Sequence, residues 1–236
     1  MQSVFVTGAA GGFGSAIASA LAADGMTVFG CDRQAGDGIH AMDVTDEAQV
    51  KAVFDQAEAL NGPVSVLVTC AGIMPSGKEP ARISNMTVEE WDSVFAVNSR
   101  GTFLCLREFL RRRERMPLPG ATAVLMSSAA AQLGGYRGSA SYVASKAALL
   151  GLTKIAAREA AAYGVTVNCV AAGPVRTQML EAATTPESVA SLSERIPLGR
   201  IGTTDDVAAA VRYLVSPGAR WVTGTTLDVN GGYRMQ

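Results

Sequence analysis

Apolar residues along this chain gather in short runs that alternate with amphipathic stretches, and the alternation predicts its elements. Val4-Phe5-Val6 reads as a strand, followed by a glycine-rich turn and an alanine-rich helix over Ser15–Asp24. Met26–Gly30, Val64–Thr69 and Ala121–Ser127 read as further strands, a third strand-like segment precedes Asp43, and Thr166–Val170 and Thr226–Val229 close the series. Helical spacing of apolar residues predicts helices around Val50–Leu60, Glu89–Arg115 and Tyr142–Tyr163. Apolar strands separated by helices imply βαβ crossovers, hence an α/β fold whose parallel sheet is covered on both faces. Such a sheet binds ligands at the carboxyl ends of its strands, beside the switch in strand order.

No repeat or low-complexity linker interrupts the pattern, so residues 1–236 read as one domain. From Ala172 to about Arg200 the chain is rich in Gly, Pro, Ser and Thr. Placed after a strand end, this stretch is expected to be a mobile substrate-binding flap containing one short helix.

Composition narrows the class. Hydrophobic residues at 48% and charged residues at 17% exclude a disordered chain, and a net charge of −1 gives no global reason to expect nucleic acid or an anionic membrane as a partner. The apolar runs are shorter than a membrane span, and no basic segment precedes the first strand, so the expected location is the cytoplasm. Cys31, Cys70, Cys105 and Cys169 are far apart in the chain and form no CxxC pair, which agrees with buried free thiols. His40 stands alone, without a partner at metal-ligand spacing, and no metal is expected. The basic run Arg111-Arg112-Arg113-Glu114-Arg115 reads as a solvated helix end, complementing the helix dipole shortly before Pro117.

The candidate chemistry begins at Thr7-Gly8-Ala9-Ala10-Gly11-Gly12-Phe13-Gly14. Gly8, Gly12 and Gly14 let the backbone turn sharply and approach a pyrophosphate, which the positive end of the following helix would favour. The second strand ends at Cys31-Asp32, 18 residues past Gly14, where a ribose-binding acid belongs. Asp32 would accept from the ribose hydroxyls of NAD and repel the 2′-phosphate of NADP, whereas neighbouring Arg33 could bind that phosphate. NAD is the expected cofactor, with NADP the weaker candidate.

Farther on, Tyr142-Val143-Ala144-Ser145-Lys146 places a phenol and an ammonium four residues apart on one helix face. A free tyrosine, with a pKa of about 10, is a poor base at neutral pH. A nearby Lys⁺ and the positive ring of an oxidised nicotinamide would both favour its phenolate. Ser127-Ser128 ends the preceding strand, so a hydroxyl could reach the same substrate oxygen as Tyr142.

The glycine spacing T-G-x-x-x-G-x-G, together with Y-x-x-x-K, resembles the short-chain dehydrogenase/reductase family from Val4 to about Gly232. The resemblance implies a Rossmann-type doubly wound sheet and NAD(P)-dependent interconversion of a secondary alcohol and a ketone. It implies Tyr142 as acid/base, with Lys146 lowering the Tyr pKa and binding the nicotinamide ribose. Ser128 would hold the substrate oxygen, although it lies one residue farther from the tyrosine than is usual in the family; Ser127 is the second choice. Asn98 would help hold a water that links the lysine to solvent. Gly8, Gly12, Phe13, Gly14, Asp32, Arg33, Asp43, Val44, Ala71, Gly72, Tyr142, Lys146, Val175 and Thr177 would form the cofactor site.

Two departures stand out. Thr69-Cys70 replaces the family's paired asparagines, and Ala172-Gly173-Pro174 moves the usual proline to the other side of the glycine. Met74 and Met86 fall near the expected cleft. Cyclic alcohols or dihydrodiols are substrates of relatives with a similar second-strand end. The alternatives are an NADPH-dependent 3-oxoacyl-thioester reductase and, from another class, a catalytically silent nucleotide sensor or scaffold. The resemblance also implies a homotetramer built on the long helices and the last strand.

Overall fold

The computed structural model describes residues 2–75, 82–134 and 139–235. Seven parallel strands form one sheet in the order β3-β2-β1-β4-β5-β6-β7. They are β1 (Ser3–Thr7), β2 (Thr27–Asp32), β3 (Ile39–Ala41), β4 (Val64–Thr69), β5 (Thr122–Ser128), β6 (Thr166–Ala172) and β7 (Thr226–Val229). The order reverses between β1 and β4, so a crevice opens at their carboxyl ends.

Alternate side chains of each strand enter opposite cores, as a pleated strand requires. Phe5, Phe29, Leu67, Leu125 and Cys169 face one side, with Phe5 stacked between Phe29 and Phe54 at centroid distances of 5.6 and 4.0 Å. This side is covered by α2 (Glu47–Asn61), α4 (Thr102–Arg115) and α6 (Ala140–Ala160). Val4, Val6, Val66, Val68, Val124 and Val170 face the other, under α1 (Gly12–Ala23) and α9 (Thr204–Val215). Full burial of each such side chain contributes roughly 1.5–3 kcal/mol, so two continuous cores hold the strand ends firmly.

Three helices differ from expectation. The predicted helix Glu89–Arg115 is α3 (Val88–Phe95), a π-helical turn over Ala96–Gly101, and α4. The wider turn accommodates Val44, which lies where a side chain on Gly101 would project: a Cβ there would come within 2.6 Å of Val44 Cγ2. The flap contains two helices, α7 (Gln178–Ala183) and α8 (Pro186–Glu194), because a Thr185/Ser188 capping box starts a second one inside it. Helix α9 was not anticipated. It is carried by Val207, Val211, Leu214 and Val215 at helical spacing and started by a Thr203/Asp206 capping box. Between β5 and α6 lies one further short helix, α5 (Ala130–Leu133).

The basic run also differs from a solvated helix end. Arg113 is wholly buried and pairs with Glu58 at 2.8 Å, while Arg112 reaches Asp55, Glu58 and Glu108 at 2.6, 2.7 and 2.8 Å. The run therefore fastens α4 to α2, and its two central charges are neutralised within the protein. His40 stacks on Phe29 at 3.9 Å and contacts Gln56.

Candidate active site

The catalytic candidates meet where α6 packs on β5, beside the segment that follows β4. The end of β5 leaves Ser128 half-buried and buries Ser127, because consecutive strand residues point to opposite faces. Ser127 Oγ donates to the backbone carbonyl of Lys146 at 2.8 Å, and Lys146 Nζ donates to the carbonyl of Met126 at 2.9 Å. These reciprocal bonds fix the middle of α6 against β5. One turn earlier on α6, Tyr142 lines the same cavity as Ser128, whose hydroxyl lies close enough to draw the phenol's pKa down. Ser128, not Ser127, is thus the hydroxyl beside the phenol. Ser139 caps α6 by accepting from Tyr142 N–H, so the tyrosine sits in the first, well-anchored turn.

Asn98 lies in the π turn with its side chain fully buried. Its Oδ1 accepts from Ile73 N–H at 2.8 Å, and its Nδ2 donates to Ile73 O at 2.9 Å and to Ser145 Oγ at 3.0 Å. Asn98 thereby joins the segment after β4 to α6. A Cβ on Gly72 would lie 3.2 Å from Lys146 Nζ and 3.3 Å from Asn98 Oδ1, so these three residues share one small space.

Charge in this cluster is governed first by burial. Removal from water lowers the Lys146 ammonium from an ordinary 10.5 to about 8. Burial also pushes the Tyr142 phenol up, with the Ser128 hydroxyl acting in the opposite direction. The expected lowering of the Tyr142 pKa by Lys146 is not met in this structure, because the ammonium is turned toward Met126 O and Gly72.

The glycine-rich turn suits a dinucleotide. A Cβ on Gly8 would strike Ala71 N at 2.6 Å and one on Gly14 would strike Gly8 O at 2.1 Å, so no side chain fits at either place. Helices α2, α3, α6 and α9 each begin with a side-chain cap, whereas α1 begins at Gly11 with none. Its leading N–H groups therefore face the crevice uncapped by any side chain, which fits a phosphate. Asp32 closes the turn from the side: its Oδ2 accepts from Ala10 N–H at 3.0 Å and its Oδ1 from Arg33 N–H at 2.7 Å. Half-buried Asp43 closes a local turn, its Oδ1 accepting from Thr45 N–H and Oγ–H at 2.8 Å, and Val44 packs into the core.

The substituted asparagine pair changes local bonding. Ala71 N–H donates to Thr7 Oγ1 at 3.1 Å, and buried Thr69 Oγ1 has no hydrogen-bond partner among the described residues. Burial pushes the Cys70 thiol up to about 12, so it stays protonated.

After β6 the chain passes Val175, which is buried, and Thr177, which caps α7 by accepting from Leu180 N–H. A Cβ on Gly12 would lie 3.1 Å from the Thr177 methyl, so the flap rests directly on the turn. Between flap and sheet is a cavity of about 480 Å³ lined by Ser128, Tyr142, Phe13, Val175 and Thr177, among others. Met74 lines it and Met86 does not. The sequence reading did not find Leu192, Arg195 or Tyr233, which also line it, because only the folded flap and tail bring them there. Gln132–Ser139, expected to shape specificity, lies outside the described residues over 135–138. Among the described residues no cluster of His, Cys, Asp or Glu is arranged to hold a metal ion.

Comparison with known proteins agrees with this geometry. A family profile described as enoyl-(acyl carrier protein) reductase matches residues 8–234. The Arabidopsis thaliana protein named NADPH-dependent aldehyde reductase-like protein, chloroplastic, is 41% identical over 191 residues, covering 80% of this chain and 69% of the relative. The 3-oxoacyl-(acyl-carrier-protein) reductase of Staphylococcus aureus strain N315 is 35% identical, covering 99% and 98%. A solved structure described as a short-chain dehydrogenase/reductase from Serratia marcescens superposes with a TM-score of 0.88 at 29% identity, covering 98% and 97%.

The buried lysine makes a pH-dependent contribution to stability. Below about pH 8 folding must bury a cation, and that cost is relieved as pH rises from about 8 toward the ordinary value of 10.5. The unfolded chain binds more protons in this window, so unfolding free energy should rise with pH. Denaturant titrations of wild type and Lys146→Met between pH 8 and 10 are expected to show that extra rise only in the wild type. Equal slopes would mean that Lys146 is not desolvated.

Proposed function

Because the chain belongs to the short-chain dehydrogenase/reductase family and is an NAD(P)-dependent oxidoreductase acting on CH–OH or C=O groups, we propose that Tyr142 is its proton donor and acceptor. The observation that carries this reading is that Tyr142 and Ser128 line one cavity together, beside Val175 and Thr177. A bound nicotinamide dinucleotide supplies or accepts the hydride.

The chain's own residues handle the oxygen and its proton. Ser128 orients the substrate oxygen, and Tyr142 gives the proton in reduction or takes it in oxidation. Lys146 holds the nicotinamide ribose, and its charge offsets that of the phenolate once substrate and cofactor enclose the site. Asn98 acts as a positioning residue that also supports proton exchange between Lys146 and solvent. Gly8, Gly12, Phe13 and Gly14 would cradle the pyrophosphate, with Asp43, Val44, Ala71 and Gly72 lining the adenosine half and Val175 and Thr177 the carboxamide. In this reading residues 1–236 are one dinucleotide-binding domain, and 172–200 is its substrate flap.

A 3-oxoacyl-thioester reductase remains the second reading, favoured by the Staphylococcus aureus relative, which covers nearly all of this chain. A compact ketone, cyclic alcohol or dihydrodiol would use the same Tyr142 and Ser128. A cytoplasmic location is part of this reading, whereas the Arabidopsis relative is named as chloroplastic.

For the nucleotide we propose NAD over NADP. Asp32 supports it, since a 2′-phosphate would meet its carboxylate at the end of β2. The opposing case rests on Arg33 and on the relative named as NADPH-dependent.

Assembly follows the same reading. A homotetramer would join through α4, α6 and the β7 edge, where Phe103, Ile155 and Trp221 are exposed.

Three outcomes test these statements. Tyr142→Phe should lower kcat by at least about 10³-fold with cofactor affinity nearly unchanged, because only the proton carrier is lost; wild-type turnover by that variant would refute the assignment. Wild type should favour NAD by about ten-fold or more in kcat/KM, and Asp32→Ala should narrow the gap. An unchanged preference in Asp32→Ala would clear Asp32 of the role. Light scattering should give a multiple of 24.4 kDa, and a single-chain mass at micromolar concentration would overturn the tetramer.

A further inference from the structure

The cavity beside Tyr142 is lined chiefly by apolar side chains, and Arg195 is the one charged residue among its described lining residues. It stands at the carboxyl end of α8 in helical conformation. Ser191, one turn earlier, lines the same cavity. Residues four apart on a helix share a face, with Cβ atoms about 5–6 Å apart, so a hydroxyl and a guanidinium can reach one ligand group together.

The other flap hydroxyls in the lining are committed to the backbone. Thr184 Oγ1 donates to Leu180 O at 2.6 Å, and Ser188 Oγ donates to Thr185 O at 2.9 Å while accepting from Thr185 N–H at 2.8 Å. The Ser191 hydroxyl is engaged in no such bond among the described residues. A guanidinium has five N–H donors in a planar fork, so it can engage an incoming anion whatever else it touches. Ser191 and Arg195 are both exposed where they border the cavity, and an anionic substrate group reaching them would gain a charge-assisted bond that a neutral one could not.

We propose that Ser191 and Arg195 form an anion-recognition patch, and that the physiological substrate is an oxo or hydroxy compound bearing an anionic oxygen group, carboxylate or phosphate, besides its reacting carbon. The inference rests on the oxidoreductase reading above and narrows its substrate class. The rival is purely structural: Arg195 would serve only to complement the carbonyls ending α8.

The test uses the full chain with reduced cofactor and three series of equal chain length: oxoalkanoic acids, their methyl esters, and oxoalkyl monophosphates. At the best-fitting length, wild type should prefer an anionic member over the ester by about ten-fold or more in kcat/KM. Arg195→Ala should bring that ratio close to one, mainly through a higher KM for the anion; Arg195→Lys should restore part of it, and Ser191→Ala should reduce it less. Preference for phosphate over carboxylate, or the reverse, identifies the natural group. A wild-type ratio near one for both anions, or a ratio unchanged in Arg195→Ala, would overturn the patch and favour the structural rival.

Turnover of esters that disappears in Tyr142→Phe reports on the oxidoreductase chemistry separately. If no compound is reduced, thermal shift with oxidised cofactor still decides the patch. Stabilisation of wild type by acid or phosphate, absent with the ester and absent in Arg195→Ala, supports it. Equal shifts with all three series overturn it.

Discussion

The site depends on the pair of hydrogen bonds that lock α6 to β5. Ser127 donates to the Lys146 carbonyl and Lys146 Nζ donates to the Met126 carbonyl, so one residue of the helix is held by both its backbone and its side chain. With Lys146 fixed, helical geometry leaves Tyr142 one turn away on the same face. The strand's alternation then puts Ser128 beside it. Asn98 adds a third tie, from the π turn to Ile73 and Ser145, so α6 is fastened to β4 as well as β5. A proton carrier positioned this way needs little reorganisation before reaction.

The protein buries cations in two places and treats them differently. Arg113 is enclosed but paired with Glu58, which Arg112 also grips, so its charge is compensated and fastens two helices together. Lys146 is enclosed with only neutral backbone oxygen at its tip, and its pKa falls toward neutrality. One buried cation supports the scaffold. The other is left ready to gain or lose a proton near physiological pH, which suits a group working beside a phenol.

The flap supplies what the sheet cannot. Thr177 rests on Gly12 and starts α7, so the flap's position is coupled to the turn proposed to hold the cofactor. From there α8 brings Ser191 and Arg195 to the cavity, whose described lining residues include no other charged side chain. In the proposed reading, strand ends and α6 set the reaction type and the flap sets substrate choice.

The residues that carry local rules were legible in the chain itself. Apolar strands predicted the parallel sheet, the glycines of the first turn had to be glycines, and Tyr142 and Lys146 share a helix face whatever surrounds them. Helix α9 was missed, although the spacing of Val207, Val211, Leu214 and Val215 and the Asp206 cap carried its signal. Only the tertiary structure decided which serine meets the tyrosine, that Lys146 points to Met126, and that Arg113 is buried. It also brought Arg195 and Tyr233 into the cavity across long stretches of chain. The physical reason is range: turns, caps and helix faces follow from contacts within a few residues, whereas burial and ion pairing depend on which distant elements pack together.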